Sequence, residues 1–191
     1  MSNLDRKPTD VGSLPPSLRA DCSRCVGLCC VTDAFFAVQG FAYDKPAGTA
    51  CRHLTAGNRC AIHAVRASRG FGACAGFDCH GAGQRVTRNL RLGANWHDSR
   101  ETAARAFAAY SRFAVLHRLM AMLALAEGAA GLPLRVRMRE HRAELEELCR
   151  TEEAMLGTID VVSVQARIAH ILREVRNYIA WREELRRVGD A

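Results

Sequence analysis

Eight cysteines crowd one stretch of the chain: Cys22, Cys25, Cys29, Cys30, Cys51, Cys60, Cys74 and Cys79, while a ninth, Cys149, stands alone. Two thiolates across a tight turn can share one ion at sulfur–metal distances of about 2.3 Å, and Cys22 and Cys25 have that spacing. If the stretch is helical instead, Cys22, Cys25 and Cys29 fall on one face and Cys30 points about 100° away. Adjacent Cys29 and Cys30 are ill placed to serve one mononuclear ion, so one of them belongs to a second site or to a polynuclear cluster. The wider intervals among Cys51, Cys60, Cys74 and Cys79 leave the pairing open. His53, His63 and His80 lie next to or close to cysteines and are further candidates, since imidazole suits zinc and iron; each can equally be a surface histidine. The alternatives for the thiols are burial as small apolar side chains, which leaves an oxidation hazard with no offsetting role, or disulfides, which suit a secreted chain. Metal binding is the expectation.

The elements that must position these thiols differ along the chain. Residues 1–20 are polar, contain Pro8, Pro15 and Pro16, and read as a flexible leader. Residues 21–97 form the cysteine-rich region with its connector; seven glycines between Gly27 and Gly76 predict turns and brief helices there. Residues 98–191 carry helical periodicity. Asp98 and Glu101 stand where a capping box would open the first helix, and its apolar stripe runs through Tyr110, Phe113, His117, Met120 and Leu123 to Gly128. Gly131-Leu132-Pro133 makes the next turn. A second helix places Leu134, Met138, His141, Leu145 and Leu148 on one face, and a third begins near Asp160, with Val164, Ile168, Ile171, Val175, Tyr178, Arg182 and Leu185 in line. The predicted fold is mainly α: a small irregular cysteine-rich metal-binding region followed by an antiparallel three-helix bundle.

Composition narrows the function classes. A net charge of +7 is carried almost wholly by arginine, with Lys7 and Lys45 the only lysines. No block of five like charges occurs and no aromatic residues alternate with arginine, which argues against a nucleic-acid platform. The longest apolar run, Val115 to Ala126, is broken by His117 and Arg118 and is too short to span a bilayer. Met1 to Asp10 is charged, with no apolar run behind it. A cytoplasmic location is therefore expected, with no membrane partner.

Other residues have plainer readings. Phe35, Phe36, Phe41, Tyr43, Phe71 and Phe77 are expected to form an apolar shell around the metal. Arg24, Arg52, Arg59, Arg66 and Arg69 either offset thiolate charge through N–H···S bonds or face solvent. Gly81-Ala82-Gly83 lacks the lysine and the preceding strand of a phosphate loop and reads as a turn. His117 and His141, on apolar helix faces, are assigned to core or boundary, Cys149 reads as a core thiol, and Met120 and Met122 read as core filler.

The strings CSRCVGLCC, FAYDKPAGTACRHL, RCAIH and FDCHGAGQRV, between Cys22 and Val86, resemble the N-terminal cysteine-rich region of actinobacterial pentapeptide-repeat proteins. More distantly they are similar to the CxxCxxCC family, described as zinc- or iron-chelating and including relatives of flagellin lysine methylases. Two departures stand out: the first group here is spaced C-x2-C-x3-C-C, and the chain has no pentapeptide repeats. The resemblance implies metal binding at the eight clustered cysteines and brings no substrate with it. The expected function is structural zinc chelation supporting a partner-binding or regulatory role, through a protein partner or a homo-oligomer formed by the bundle. The alternative is an iron–sulfur or metal-dependent enzyme modifying a small molecule or protein.

Overall fold

The computed structural model describes residues 14–91, 96–150 and 158–189. Most of the leader expected at 1–20 lies outside them. The fold is mainly helical, as the periodicity predicts. Among the described residues the only β-type pairings are two isolated bridges, Phe35 with Lys45 and Leu54 with Cys60.

Two compact units divide the chain: Ser17–His117, and a second built on Arg118–Ala191. In the first, short elements alternate with turns: α1 (Cys29–Thr32), α2 (Gly72–Gly76), α3 (Ala82–Asn89) and several single 3-10 turns, one of them Cys22–Arg24. Its core is assembled from scattered positions, Leu18, Val26, Leu28, Val31, Phe35, Phe71, Val86 and Trp96. The unit also takes the first part of α4 (Arg100–Glu127), through buried Ala106, Tyr110, Phe113, Leu116 and His117. The division thus falls inside a continuous helix.

Helix α4 is capped by Ser99, whose hydroxyl accepts the Thr102 amide at 3.0 Å. The carboxylate expected to cap it, that of Asp98, lies outside the described residues. Its backbone closes the 3-10 turn Trp96–Asp98, so Ser99 is the residue adjoining the first free amides.

The second unit contains the end of α4, α5 (Leu132–Leu148) and α6 (Val161–Gly189). Arg137 pairs with Glu174, and Arg167 with Glu144 at 2.7 Å. Ascending positions on α5 meet descending ones on α6, so these two helices run antiparallel. Their seam buries Met138, Leu145, Val164, Ile168, Ile171 and Val175, the stripe that 3.6-residue periodicity requires. Glu127, at the end of α4, accepts Arg142 at 3.1 Å and also Arg139. Gly131 admits the Tyr178 ring: a β-carbon there would sit 2.9 Å from it. Asp160 caps α6, accepting the amides of Val162 and Ser163 at 3.1 Å each. Cys149 is buried in this unit as a core thiol. Met122, read as core filler, and Leu185, placed on the helix face by spacing, are exposed; Met122 neighbours the buried stripe without belonging to it, and among the described residues the buried face of α6 stops at Val175.

Candidate metal centre

All nine cysteines are free thiols, so the disulfide alternative finds no pairing in this structure. The Cys22–Arg24 turn is opened by Asp21, whose carboxylate accepts the Ser23 amide at 2.9 Å and Arg24 Nε at 2.8 Å. Arg59 reaches back from a distant loop and donates to the carbonyls of Cys22, Ser23 and Cys25, the last at 2.9 Å. Behind Cys25 the chain turns at Gly27, which has φ +73° and faces Leu54 so closely that a β-carbon would lie 2.7 Å from it. That turn aims the amides of Gly27 and Leu28 at Cys25 Sγ, and both hydrogen bonds favour the thiolate. Burial still raises the Cys25 thiol overall, and the Thr87 hydroxyl works with the amides to lower it.

Helix α3 is the platform for this first knuckle. Gln84 accepts the Asp21 amide at 2.6 Å and donates to the Arg19 carbonyl at 2.9 Å, and Thr87 Oγ1 accepts the Val26 amide at 3.2 Å. Trp96 Nε1 donates to the Val26 carbonyl at 3.1 Å. Gly83 is where α3 touches the sulfurs: a β-carbon there would lie 2.6 Å from Cys25 Sγ and 3.9 Å from Cys79 Sγ. The Gly81-Ala82-Gly83 stretch is thus the start of a helix packed on thiols. Tyr110 of α4 closes the same corner. Burial drives its phenol far above the ordinary range, and thiolate charge at Cys29, Cys79 and Cys25, with the Asp33 carboxylate, adds to the effect.

Helix α1 then carries the chain from one neighbourhood to the next. The Cys29 and Cys30 sulfurs are hydrogen-bonded to each other, which raises Cys29 well above the usual thiol range and lowers Cys30; Lys45 and Arg66 also favour the Cys30 thiolate. Beyond α1, the Cys30 carbonyl accepts the Cys51 amide at 2.8 Å, and the Cys51 carbonyl accepts that of Leu54, also at 2.8 Å. Leu54 pairs with Cys60, and the Ile62 amide donates to Cys60 Sγ, opposing the upward push of burial. Arg66 binds the Cys74 carbonyl at 3.2 Å, lies 4.0 Å from Cys74 Sγ, and bonds the His63 carbonyl at 2.9 Å. The Tyr43 hydroxyl donates to Cys51 Sγ at 3.2 Å. Burial raises Cys74 most, with thiolate charge at Cys30 and Cys51 acting in the same direction.

The eight cysteines are therefore gathered into one unit and into close electrostatic company. Among the described residues, however, no group of three or more cysteine, histidine or acidic side chains is arranged to hold a metal ion. The three histidines have other occupations. His53 stands edge-on to Phe71 with ring centroids 5.2 Å apart, His63 is exposed, and His80 sits at φ +49° with its buried Nδ1 3.8 Å from the Asp78 carboxylate. The His80 carbonyl accepts Nδ1–H of His117 at 2.7 Å, which fixes that tautomer.

The aromatic shell is smaller than expected. Phe35, Phe41, Tyr43 and Phe71 stack on one another, with Phe35 and Phe41 centroids 4.4 Å apart. Phe36 and Phe77 are 46% and 47% exposed and stand outside it. Phe36 follows Phe35 in extended backbone, where successive side chains take opposite sides. Arg52 stacks on Tyr43 at 4.0 Å, Arg24 pairs with Asp21 and Arg59 holds the Cys22 and Cys25 carbonyls, while Arg66 lies 4.0 Å from the Cys74 sulfur.

Lys45 is the residue that spacing did not reveal. It is only 2% exposed, and its Nζ donates to the carbonyls of Val31 at 3.1 Å, Pro46 at 3.0 Å and Thr49 at 2.8 Å. Burial lowers its pKa, against the opposite pull of Cys51, Asp33, Cys30 and Cys29. Its signal in the sequence is faint: one of two lysines in a chain whose other basic residues are arginine and histidine.

Over 153 residues, 79% of its length, the chain is 35% identical to a protein of Bacillus subtilis (strain 168) described as "Uncharacterized protein YybG". The chain is similar to YybG. It spans about half of that protein, 54% of its length. A match of this extent reaches into both compact units wherever it is placed. No family model and no solved structure matches the chain.

Proposed function

We propose that Ser17–His117 is a zinc-binding module in which Cys22, Cys25, Cys29, Cys30, Cys51, Cys60, Cys74 and Cys79 hold the metal structurally. The observation that carries this reading is the pair of amide knuckles, Gly27 and Leu28 on Cys25 and Ile62 on Cys60. Backbone N–H groups aimed at sulfur stabilise the thiolate, the form that binds metal. A turn-rich unit with a small apolar core also gains from such a staple, because structural zinc contributes on the order of 10 kcal/mol of folding free energy. Binding would displace the thiol protons.

In this reading the module acts in the cytoplasm, where thiols stay reduced, and supports a protein partner or a second copy of the chain through its surface or the helical bundle. The absence of any helix long and apolar enough to cross a membrane, among the described residues, accords with it. The iron–sulfur alternative draws on the same thiols and on the stacked Phe35, Phe41, Tyr43 and Phe71, which would limit water at a cluster. Metal analysis of anaerobically purified protein separates the two: colourless protein with stoichiometric zinc is expected, and brown protein with charge-transfer absorption would replace zinc by a cluster.

A further inference from the structure

We infer that the C-terminal end of α6 is a docking surface for a second copy of this chain, the two helix ends lying antiparallel with Trp181 and Leu185 at the contact. This rests on the second-copy arm of the proposed function, gives it a surface, and does not depend on metal. The register of the second unit creates that surface. Arg137 pairs with Glu174 and Arg167 with Glu144, which sets Leu132, the first residue of α5, level with about Ile179. The Tyr178 ring against Gly131 marks the same level. Helix α6 continues to Gly189, so residues 181–189 run past the start of α5. Seven residues make nearly two whole turns, so Trp181 stands on the side of α6 that carries Arg167 and Glu174, the side that faces α5. Leu185 lies one turn further along it. Where α5 no longer covers this side it is apolar and open: Trp181 is 57% and Leu185 52% exposed, and the Tyr178 and Trp181 ring centroids are 6.0 Å apart. Single exposed apolar residues are ordinary, but a pair in register with a seam that has lost its partner marks an interaction site.

Charge selects the occupant. Glu184 and Arg187 stand on one flank of the stripe, exposed and 3.9 Å from each other. A helix with a flank of one sign would be repelled by one of them. A second α6 running the other way, with Leu185 meeting Leu185 near the centre, sets its Arg187 opposite Glu184 and its Glu184 opposite Arg187. Both pairs then form at once. Arg182, on the other flank, lies level with the end of the second helix and meets no arginine there. Each Trp181 packs against that end. The same arrangement brings the second α6 into line with α5, its negative C-terminal pole toward the positive start of α5 at Gly131 and Leu132. The contact is the same on both copies, so assembly stops at two. It uses about 13 Å of helix from each copy, which places it among small, weak interfaces.

Sedimentation velocity of the full chain under reducing conditions, from about 1 µM to about 1 mM, reads the assembly, with zinc content measured on the same samples. A monomer–dimer equilibrium is expected. Trp181→Ala and Leu185→Lys should each weaken it by about tenfold, with the helical circular dichroism unchanged because both side chains are exposed. Glu184→Arg and Arg187→Glu should each weaken it severalfold, and the double variant carrying both changes should recover the parent's affinity. A parent chain that stays monomeric throughout would overturn the proposal. Dimers of undiminished affinity in Leu185→Lys would do the same, and so would a double variant no better than the single ones. The zinc measurement keeps the two readings apart: a monomer that binds zinc ends this proposal alone, and a dimer that takes up no zinc ends the metal-binding reading alone.

Discussion

The two units hold themselves together by different means. In the Arg118–Ala191 unit, regular helices present apolar stripes at 3.6-residue spacing, and ion pairs such as Arg167 with Glu144 lie outside the seam. In the Ser17–His117 unit the apolar positions are dispersed among turns, and polar groups do the bracing: Lys45 on three carbonyls, Arg59 on three more, Gln84 and Thr87 on the Asp21–Val26 loop. A helical seam is robust because many equivalent contacts share the load. A polar-braced unit is specific, and it depends on a few groups being present together.

That contrast can be broken at chosen points, starting with the largest effect. Ile171→Ala opens a cavity in the α5–α6 seam and should lower the stability of the second unit by about 2–5 kcal/mol, read from denaturant curves, with metal content unchanged. Cys149→Ser should likewise leave the metal count untouched, since this thiol belongs to the helical core.

Lys45→Met removes the donor from three carbonyls and should cost the first unit about 2–4 kcal/mol, visible as faster amide exchange at Phe35, Cys51 and Leu54 with α5 and α6 unaffected. Equal losses in both units would mean that they unfold together.

Gly83→Ala sets a methyl against Cys25 Sγ and should cost about 1–3 kcal/mol through overpacking. On the metal-binding account, competition with a chromophoric chelator should release metal from the variant at a lower chelator concentration than from the parent chain.

The smallest effect is one of pH. The Ser163 hydroxyl, with the Ser163 and Val162 amides, holds the Asp160 carboxyl below its ordinary value of 3.8. A depressed folded-state pKa contributes stability that is fully present above 3.8 and is lost as pH falls through the folded value. Exchange at the start of α6 should therefore quicken at acid pH, and Asp160→Asn should flatten that step. A variant keeping the step intact would assign it to another carboxylate.

How much of this was legible in sequence follows the same contrast. The second unit was readable because periodicity is a local code: Asp160 opening α6, Gly131 at the turn, and the Val164–Val175 face all follow from spacing. Where spacing misled, at Leu185, the tertiary seam was narrower than the stripe; Met122, an apolar residue read as core filler, lies beside the buried stripe of α4. In the first unit, cysteine order announced shared chemistry, but the gathering of Cys30 with Cys51, Cys60 and Cys74 depends on loop hydrogen bonds that no local pattern encodes. Lys45 was invisible as a core residue because lysine is almost never fully buried. Tyr110 was placed on a helical stripe, yet its charged neighbours include the thiols of Cys79, Cys29 and Cys25, far earlier in the chain.

Hydrogen exchange on the full chain before and after complete removal of metal by a chelator, under reducing conditions, tests the central claim most directly. Amides between Cys22 and Cys79 should lose protection while those of α5 and α6 keep theirs. Unchanged protection throughout the cysteine-rich stretch, with the metal verifiably gone, would show that the bracing hydrogen bonds suffice and that metal does not hold this unit together.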